Sequence, residues 1–373
     1  MGPFDPAQLL PLALSRPEDA LRAARMVLAG QPSSYDASLA HQAIGIVLRD
    51  RGELPEAIAV LRKGVRLARA SRQPQRESDV QATLGLALAF AGRSRQGLAV
   101  LDQALATARG DLAGKVLTRR ARALWELGRF HEAYQDLSHA LPYFRRAADT
   151  LWEARSLTAR AFVFLGLGLP ARAAADFARA EELYAANGQD LEHAYARHNL
   201  GLAALARGDL PHALSYLDEA GRRYQSLGEN VPELAVDRCL TLLAAGLTEE
   251  AAHETDNALS RIPPGGGIAY RNAELFLATA TAALAAGNSV GARQRARQAR
   301  RQFQSQHRAL WEARASLVLA EARYAAGEHT PALLRYAEEV AARLEASRAG
   351  EATQAHLLAG RIALSRGLSL IHI

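Results

Sequence analysis

Nine glycines punctuate this chain at near-constant intervals: Gly52, Gly92, Gly128, Gly168, Gly208, Gly246, Gly287, Gly327 and Gly367. The steps between them are 40, 36, 40, 40, 38, 41, 40 and 40 residues. A period of this size means one supersecondary unit copied along the chain, each copy burying its apolar face against the next. A stacked array offers long surfaces and rarely a buried catalytic pocket, so binding is the first functional expectation.

Each copy holds two helical patterns divided by its glycine. In the fifth, Leu191–Arg207 reads as the first helix and Leu210–Leu227 as the second. Glycine adopts positive φ without steric cost, so it ends the first helix sharply. Proline follows closely at Pro55, Pro170 and Pro211, where it suits the first turn of the second helix.

Five residues after the glycine stand Ala57, Gly97, Ala133, Ala173, Ala213, Ala251, Ala292 and Ala332. Seven before it stand Gly45, Gly85, Ala121, Ala161, Gly201, Cys239, Ala280, Ala320 and Gly360. Small residues at fixed places on both helices let the two backbones approach closely, whereas a large side chain there would force them apart. Nine after the glycine, Leu61, Leu101, Leu137, Phe177 and Leu217 fill the stack. The prediction is an all-α, right-handed α-solenoid of about eight and a half antiparallel helix pairs. Composition agrees: apolar residues make up 49% and aromatics only 6%, and the dominant alanine and leucine are the best helix formers.

The two ends read differently. Pro6–Leu14 and Pro17–Leu28 predict a degenerate capping pair over residues 1–35, with Ser15 as an N-cap and Pro17, Glu18 and Asp19 in the first turn. The array proper spans 36–367, with a bend expected at Pro263-Pro264-Gly265-Gly266-Gly267. That glycine cluster is no phosphate loop, since neither a strand before it nor Gly-Lys-Ser/Thr after it is present. At the C-terminal end Glu351–Arg366 predicts a ninth first helix without a partner, because only Leu368 to Ile373 follow Gly367. This predicts a truncated fragment, with 368–373 a non-native or cut-off tail.

Charge and cysteine content narrow the function class. The net charge of +6 is modest for 373 residues and supports solubility more than a nucleic-acid partner. Only Lys63 and Lys115 among the 45 basic residues are lysines, a bias read as codon usage. The arginine-rich stretch Arg293–Arg301 spreads around its helix, as a solvated face does. An RNA-binding array would need a basic, aromatic-lined stripe in every copy, and that pattern is missing. One cysteine excludes an internal disulfide framework and fits a reducing compartment. With no signal-peptide pattern and no membrane-length apolar run, a soluble cytoplasmic chain without a membrane partner is expected.

No catalytic or metal-binding constellation emerges, and no cofactor is expected. Cys239 occupies the small-residue position of its first helix, which predicts a packing role. His193 and His198 lie five apart on one helix and do not share a face for a metal.

Segments such as Asn199-Leu200-Gly201 followed by Gly208-Asp209-Leu210-Pro211-His212-Ala213-Leu214 resemble tetratricopeptide repeats. More narrowly, the chain is similar to the N-terminal arm of actinobacterial CHAT-domain proteins, in which extended repeats precede a caspase-like domain. The segments that carry this are Ser34–Ala43 with Ile46–Asp50, Asp237-Arg238-Cys239 with Leu242–Leu247, and Ala322–Glu328. No segment resembles the peptidase domain itself. The resemblance implies an interaction or sensing arm that regulates a peptidase absent from this chain. The competing expectations are the effector-sensing region of a transcription regulator, or a free-standing scaffold.

The resemblance also implies that first helices line a concave groove that takes a protein or peptide. The candidate groove residues are Arg122, Trp125 and Glu126 in the third copy, Arg155 in the fourth, His198 in the fifth, and Arg314 and Tyr324 in the eighth. Arginine and aromatic side chains are common anchors of protein contacts. Leu151-Trp152-Glu153-Ala154-Arg155 recurs as Leu310-Trp311-Glu312-Ala313-Arg314, a recurrence that block duplication would also produce.

Overall fold

A computed structural model describes residues 4–261, 269–306, 308–347 and 349–367, and for 269–271 the backbone alone. Among the described residues the regular structure is entirely helical. The chain divides between Gly228 and Glu229 into two compact units. The Pro263–Gly267 cluster, where a bend was expected, and the 368–373 tail both lie outside the described residues.

The first unit opens with α1 (Leu9–Ser15) and α2 (Pro17–Ala29). Five antiparallel pairs follow: α3 (Ser34–Asp50) with α4 (Leu54–Ala70), α5 (Pro74–Phe90) with α6 (Ser94–Thr107), and α7 (Asp111–Glu126) with α8 (Phe130–Ala147). The remaining pairs are α9 (Thr150–Gly166) with α10 (Pro170–Ala186) and α11 (Asp190–Ala206) with α12 (Leu210–Ser226). Leu9, Ala13, Leu21 and Ala24 of the opening helices pack on Leu39, Ala43 and Ile46 of α3. Ser15 does not cap α2: its hydroxyl donates back to the Pro11 carbonyl at 3.0 Å, and Arg16 holds the cap position. Ser15 is itself the last residue of α1, so its hydroxyl bonds back to a carbonyl of its own helix and not forward to an amide of α2.

The second unit contains α13 (Pro232–Ala244) with α14 (Thr248–Ser260), α15 (Ala269–Ala285) with α16 (Ser289–Ser305), and α17 (Ala309–Ala325) with α18 (Pro331–Ala346). A last helix, α19 (Ala352–Ser365), packs Ala355, Leu358, Ala359 and Ile362 against α17 and α18. Its other face leaves Leu357 and Leu364 more than half exposed.

The marker glycines explain the pairing. All nine have φ between +70° and +85°, the left-handed region that side chains with a Cβ adopt only under strain. At Gly208 the amide returns to the Leu205 carbonyl at 2.9 Å and the Asp209 amide to Ala204 at 3.0 Å. These two bonds satisfy the open carbonyls at the end of the first helix and turn the chain into the second. Where the helices cross, a Cβ on Gly201 would meet Leu217 at 2.9 Å, and one on Gly85 would meet Leu101 at 2.7 Å. Leu61, Leu101, Leu137, Phe177 and Leu217 are fully buried at these crossings. The result in each unit is a stretch of tetratricopeptide-type α-solenoid.

Candidate functional site

Within each unit the two sides of the helix layer are unequal. The first helices of successive pairs touch: α3 meets α5, α5 meets α7 and α7 meets α9, while α13 meets α15 and α15 meets α17. Successive second helices make no comparable contact. A layer crowded on one side and splayed on the other curves toward the crowded side, so the first helices line the inner face.

The inner face of the first unit is built from polar side chains that span neighbouring first helices. Asp79 on α5 accepts from Arg119 of α7 at 2.7 Å and from Arg76 at 3.0 Å. Arg76, buried, also donates to the Ser38 hydroxyl at 2.6 Å and to Gln42, and Gln42 donates to Thr83 at 2.8 Å. Burial alone would raise the Asp79 pKa, but Arg119 and Arg76 outweigh it and hold the carboxyl below its usual range. The Arg76 guanidinium is shifted the other way, lowered by burial despite Asp79. Nothing in the repeat pattern marks these residues, because the pairing depends on helix tilt rather than on spacing.

On α7 the inward positions recur at helical spacing. Lys115 and Arg119 lie over the Trp152 ring of α9, at 5.5 and 5.2 Å, and Arg122 lies 5.4 Å from the Phe90 ring of α5. Arg120, between them, points the other way and binds Asp136 of α8 through two bonds of 2.7 and 2.8 Å. Arg122, Trp125 and Glu126 are all solvent-accessible. Yet enough protein surrounds Arg122 that desolvation lowers its pKa, with Arg49 as the next contributor. Accessible and desolvated together describe a side chain in a concavity. The Trp125 indole donates to the Phe162 carbonyl of α9 at 3.1 Å while 36% of the residue stays exposed.

Arg155 of α9 is largely covered. It lies 5.5 Å from the Trp152 ring and 3.5 Å from the Glu192 carboxylate of α11, and its Nη2 has no hydrogen-bond partner. Burial raises the Glu192 pKa even beside that arginine. His198 departs from expectation: it is buried, only 4% exposed. Its Nδ1 stands 3.2 Å from the Tyr224 hydroxyl, because the tyrosine of α12 reaches through the pair to cover it. His193, by contrast, meets Glu181 at 3.1 Å.

In the second unit the Trp311 segment repeats the Trp152 arrangement. Trp152 stacks on Phe144 at 5.9 Å and Trp311 on Phe303 at 5.6 Å. Arg314 lies 4.8 Å from its tryptophan and 2.9 Å from Glu351, as Arg155 faces Glu192, 37 residues on in each case. Arg314 and Tyr324 are half-buried, and the Tyr324 ring meets His329 edge-on at 5.0 Å. The seven candidates therefore fall in two units: Arg122, Trp125, Glu126, Arg155 and His198 in one, Arg314 and Tyr324 in the other.

Cys239 is fully buried, its Sγ 3.7 Å from the Ala278 carbonyl, and burial pushes the thiol pKa up to about 12. A pocket of about 200 Å³ lies between α6, α7 and α8. Its charges pair internally, Arg120 with Asp102 and Asp136 and Arg129 with Glu132. Among the described residues no group of three His, Cys, Asp or Glu could hold a metal ion, and no helix is long and apolar enough to cross a membrane.

No protein-family model and no curated protein matches the chain. Solved structures do. The Cut9–Hcn1 assembly of the APC/C is similar with a TM-score of 0.65 at 14% identity, over 96% of this chain and 62% of that one. A Rap protein complexed with competence and sporulation factor matches with a TM-score of 0.61 at 10% identity, over 96% of both chains. The apo form of the quorum sensor NprR from B. thuringiensis gives 0.57 at 16% identity, over 91% of this chain and 96% of that one. At these identities the likeness is one of fold, and the fold is that of tetratricopeptide-repeat proteins.

Proposed function

We propose that this chain is a non-catalytic interaction arm whose inner face receives a protein or peptide in a reducing, cytoplasmic setting. The observation that carries the reading is Arg122 beside Trp125: an accessible guanidinium and a one-third exposed indole, both on the concave side. Side chains of this kind supply much of the energy at protein interfaces. Photo-crosslinking tests it, with benzoylphenylalanine at Leu202, six residues before its glycine as Arg122 is before Gly128, and at the exposed Gln135 of the second helix α8. A partner captured at Leu202 and lost on Arg122→Ala or Trp125→Ala supports the arm. Equal capture from both positions, insensitive to those substitutions, overturns it.

The finer reading is that the arm regulates a caspase-like peptidase joined to it, supported by the motif resemblance at Ser34–Ala43, Asp237–Cys239 and Ala322–Glu328. The likeness to a structure described as a quorum sensor favours a second reading, an effector-sensing region of a regulator. The coding sequence beyond the Ile373 codon separates them. A His/Cys-bearing caspase-like segment supports the first, a helix-turn-helix the second, and a stop codon a free-standing scaffold.

A further inference from the structure

We propose that Lys115 and Arg122 on one face of α7, with Arg155 on α9, bind the side-chain carboxylates of an extended acidic peptide. The proposal rests on the interaction-arm reading and gives its ligand a chemistry.

Lys115, Arg119 and Arg122 follow one another at intervals of four and three residues, so they share one helix face over about 10 Å. That length accommodates two alternate side chains on the same side of an extended peptide, about 7 Å apart. Of the four cations, Arg119 is committed to Asp79 at 2.7 Å. Lys115 is held only loosely, 3.8 Å from Asp149. Arg122 is solvent-accessible and lies 5.4 Å from the Phe90 ring. Arg155 reaches Glu192 through Nη2 only at 3.5 Å.

Arg155 and Lys115 share the Trp152 ring, each 5.5 Å from its centroid. A guanidinium offers a fixed fork of donors that matches a carboxylate, and a partly desolvated site strengthens such a bond. Asp50 and Glu126 act electrostatically on Arg122, so the peptide's acidic residues belong toward Lys115. Nucleic acid fits less well. Base stacking has no open ring here, since Trp152 already stacks on Phe144 and carries three cations within 5.5 Å.

Fluorescence anisotropy of the full chain tests this with a fluorescein-labelled, Glu-rich peptide amidated at its C-terminus. Its Gln-rich counterpart, a neutral peptide with a free C-terminal carboxylate and a single-stranded oligonucleotide are run beside it. The Glu-rich peptide alone is expected to bind, more weakly as salt rises. Arg122→Gln and Arg155→Gln should each weaken it about tenfold, the loss of one charge-assisted contact, while the outer-face Arg129→Gln leaves it unchanged. Helical content and melting temperature, read by circular dichroism for each variant, separate lost binding from lost fold. Equal binding of the Gln-rich peptide, preference for the free carboxylate or the oligonucleotide, or indifference to Arg122→Gln overturns the proposal. An inner face that still crosslinks a partner at Leu202 but ignores glutamate leaves the interaction arm standing without this site.

Discussion

Gly97 and Gly85 meet backbone to backbone where α5 and α6 cross: a methyl group on Gly97 would stand 2.6 Å from the Gly85 carbonyl oxygen and 2.9 Å from the Ala89 amide. Neither neighbour is a side chain that can rotate away. Gly97→Ala should therefore push the pair apart and cost about 1–3 kcal/mol, the range for overpacking a close crossing. Gly92→Ala makes the comparison, since no atom lies within 4 Å of its added methyl and only the +75° φ is strained. That strain is about 1–2 kcal/mol. Urea unfolding with amide exchange of α5 and α6 distinguishes the two. Unaltered exchange in α5 and α6 of Gly97→Ala would contradict the crossing described here.

Asp79 holds two guanidinium groups that have nothing comparable to replace it. Removing its charge with Asp79→Asn leaves Arg76, 3% exposed, facing Arg119 at 9%. Breaking a buried pair in this way costs roughly 3 kcal/mol or more. The pH dependence follows from the depressed carboxyl pKa. A folded value below the unfolded one gives stability that is complete above about pH 4 and lost as pH falls through the folded value. The wild-type urea midpoint should drop steeply on the acid side, and Asp79→Asn should flatten that limb. Parallel acid limbs in the two proteins would remove Asp79 from the account.

What the sequence discloses is the part of the fold that depends on residue size and backbone freedom. The helix boundaries in the fifth copy fall within one residue of those expected, Asp190–Ala206 and Leu210–Ser226, because a positive-φ glycine and a following proline fix them. The packing role of Cys239 followed from register alone. Side-chain partnerships between helices did not. Asp79 meets Arg119, 40 residues further along, through the relative placement of α5 and α7, which a one-dimensional pattern does not encode. His198 lies at an inward position that is open in principle, yet Tyr224 from the second helix closes it.

The lone thiol gives a test with an alkaline sign. Burial, with Glu254 adding to it, raises the Cys239 pKa to about 12 from an ordinary 9.0. Between those values the unfolded chain loses the thiol proton and the folded chain keeps it. Stability from this group is thus complete below about pH 9 and declines as pH rises above it. Native protein should resist iodoacetamide at neutral pH and react once unfolded, since the thiolate is the nucleophile. Cys239→Ala places in the sixth copy the residue found at Ala280 and Ala320. It should leave partner binding intact and soften the alkaline decline. Rapid labelling of the folded chain would be incompatible with the buried site.

Trp125 offers a direct readout of inner-face occupancy. Trp152 and Trp311 are both stacked on phenylalanine rings and flanked by cations, so Trp152→Phe with Trp311→Phe keeps an aromatic ring in each stack. The doubly substituted chain then fluoresces from Trp125 alone, an indole pinned to the Phe162 carbonyl with one face open to water. Acrylamide should quench it efficiently in the free chain. A ligand seated across α7 and α9 must cover that face, so quenching should fall and emission shift to the blue as water leaves the ring. Arg122→Gln should raise the ligand concentration needed for the shift without changing its size, because the arginine holds the ligand and the tryptophan only reports it. A ligand that binds to saturation while Trp125 remains equally quenched must occupy another face of the chain.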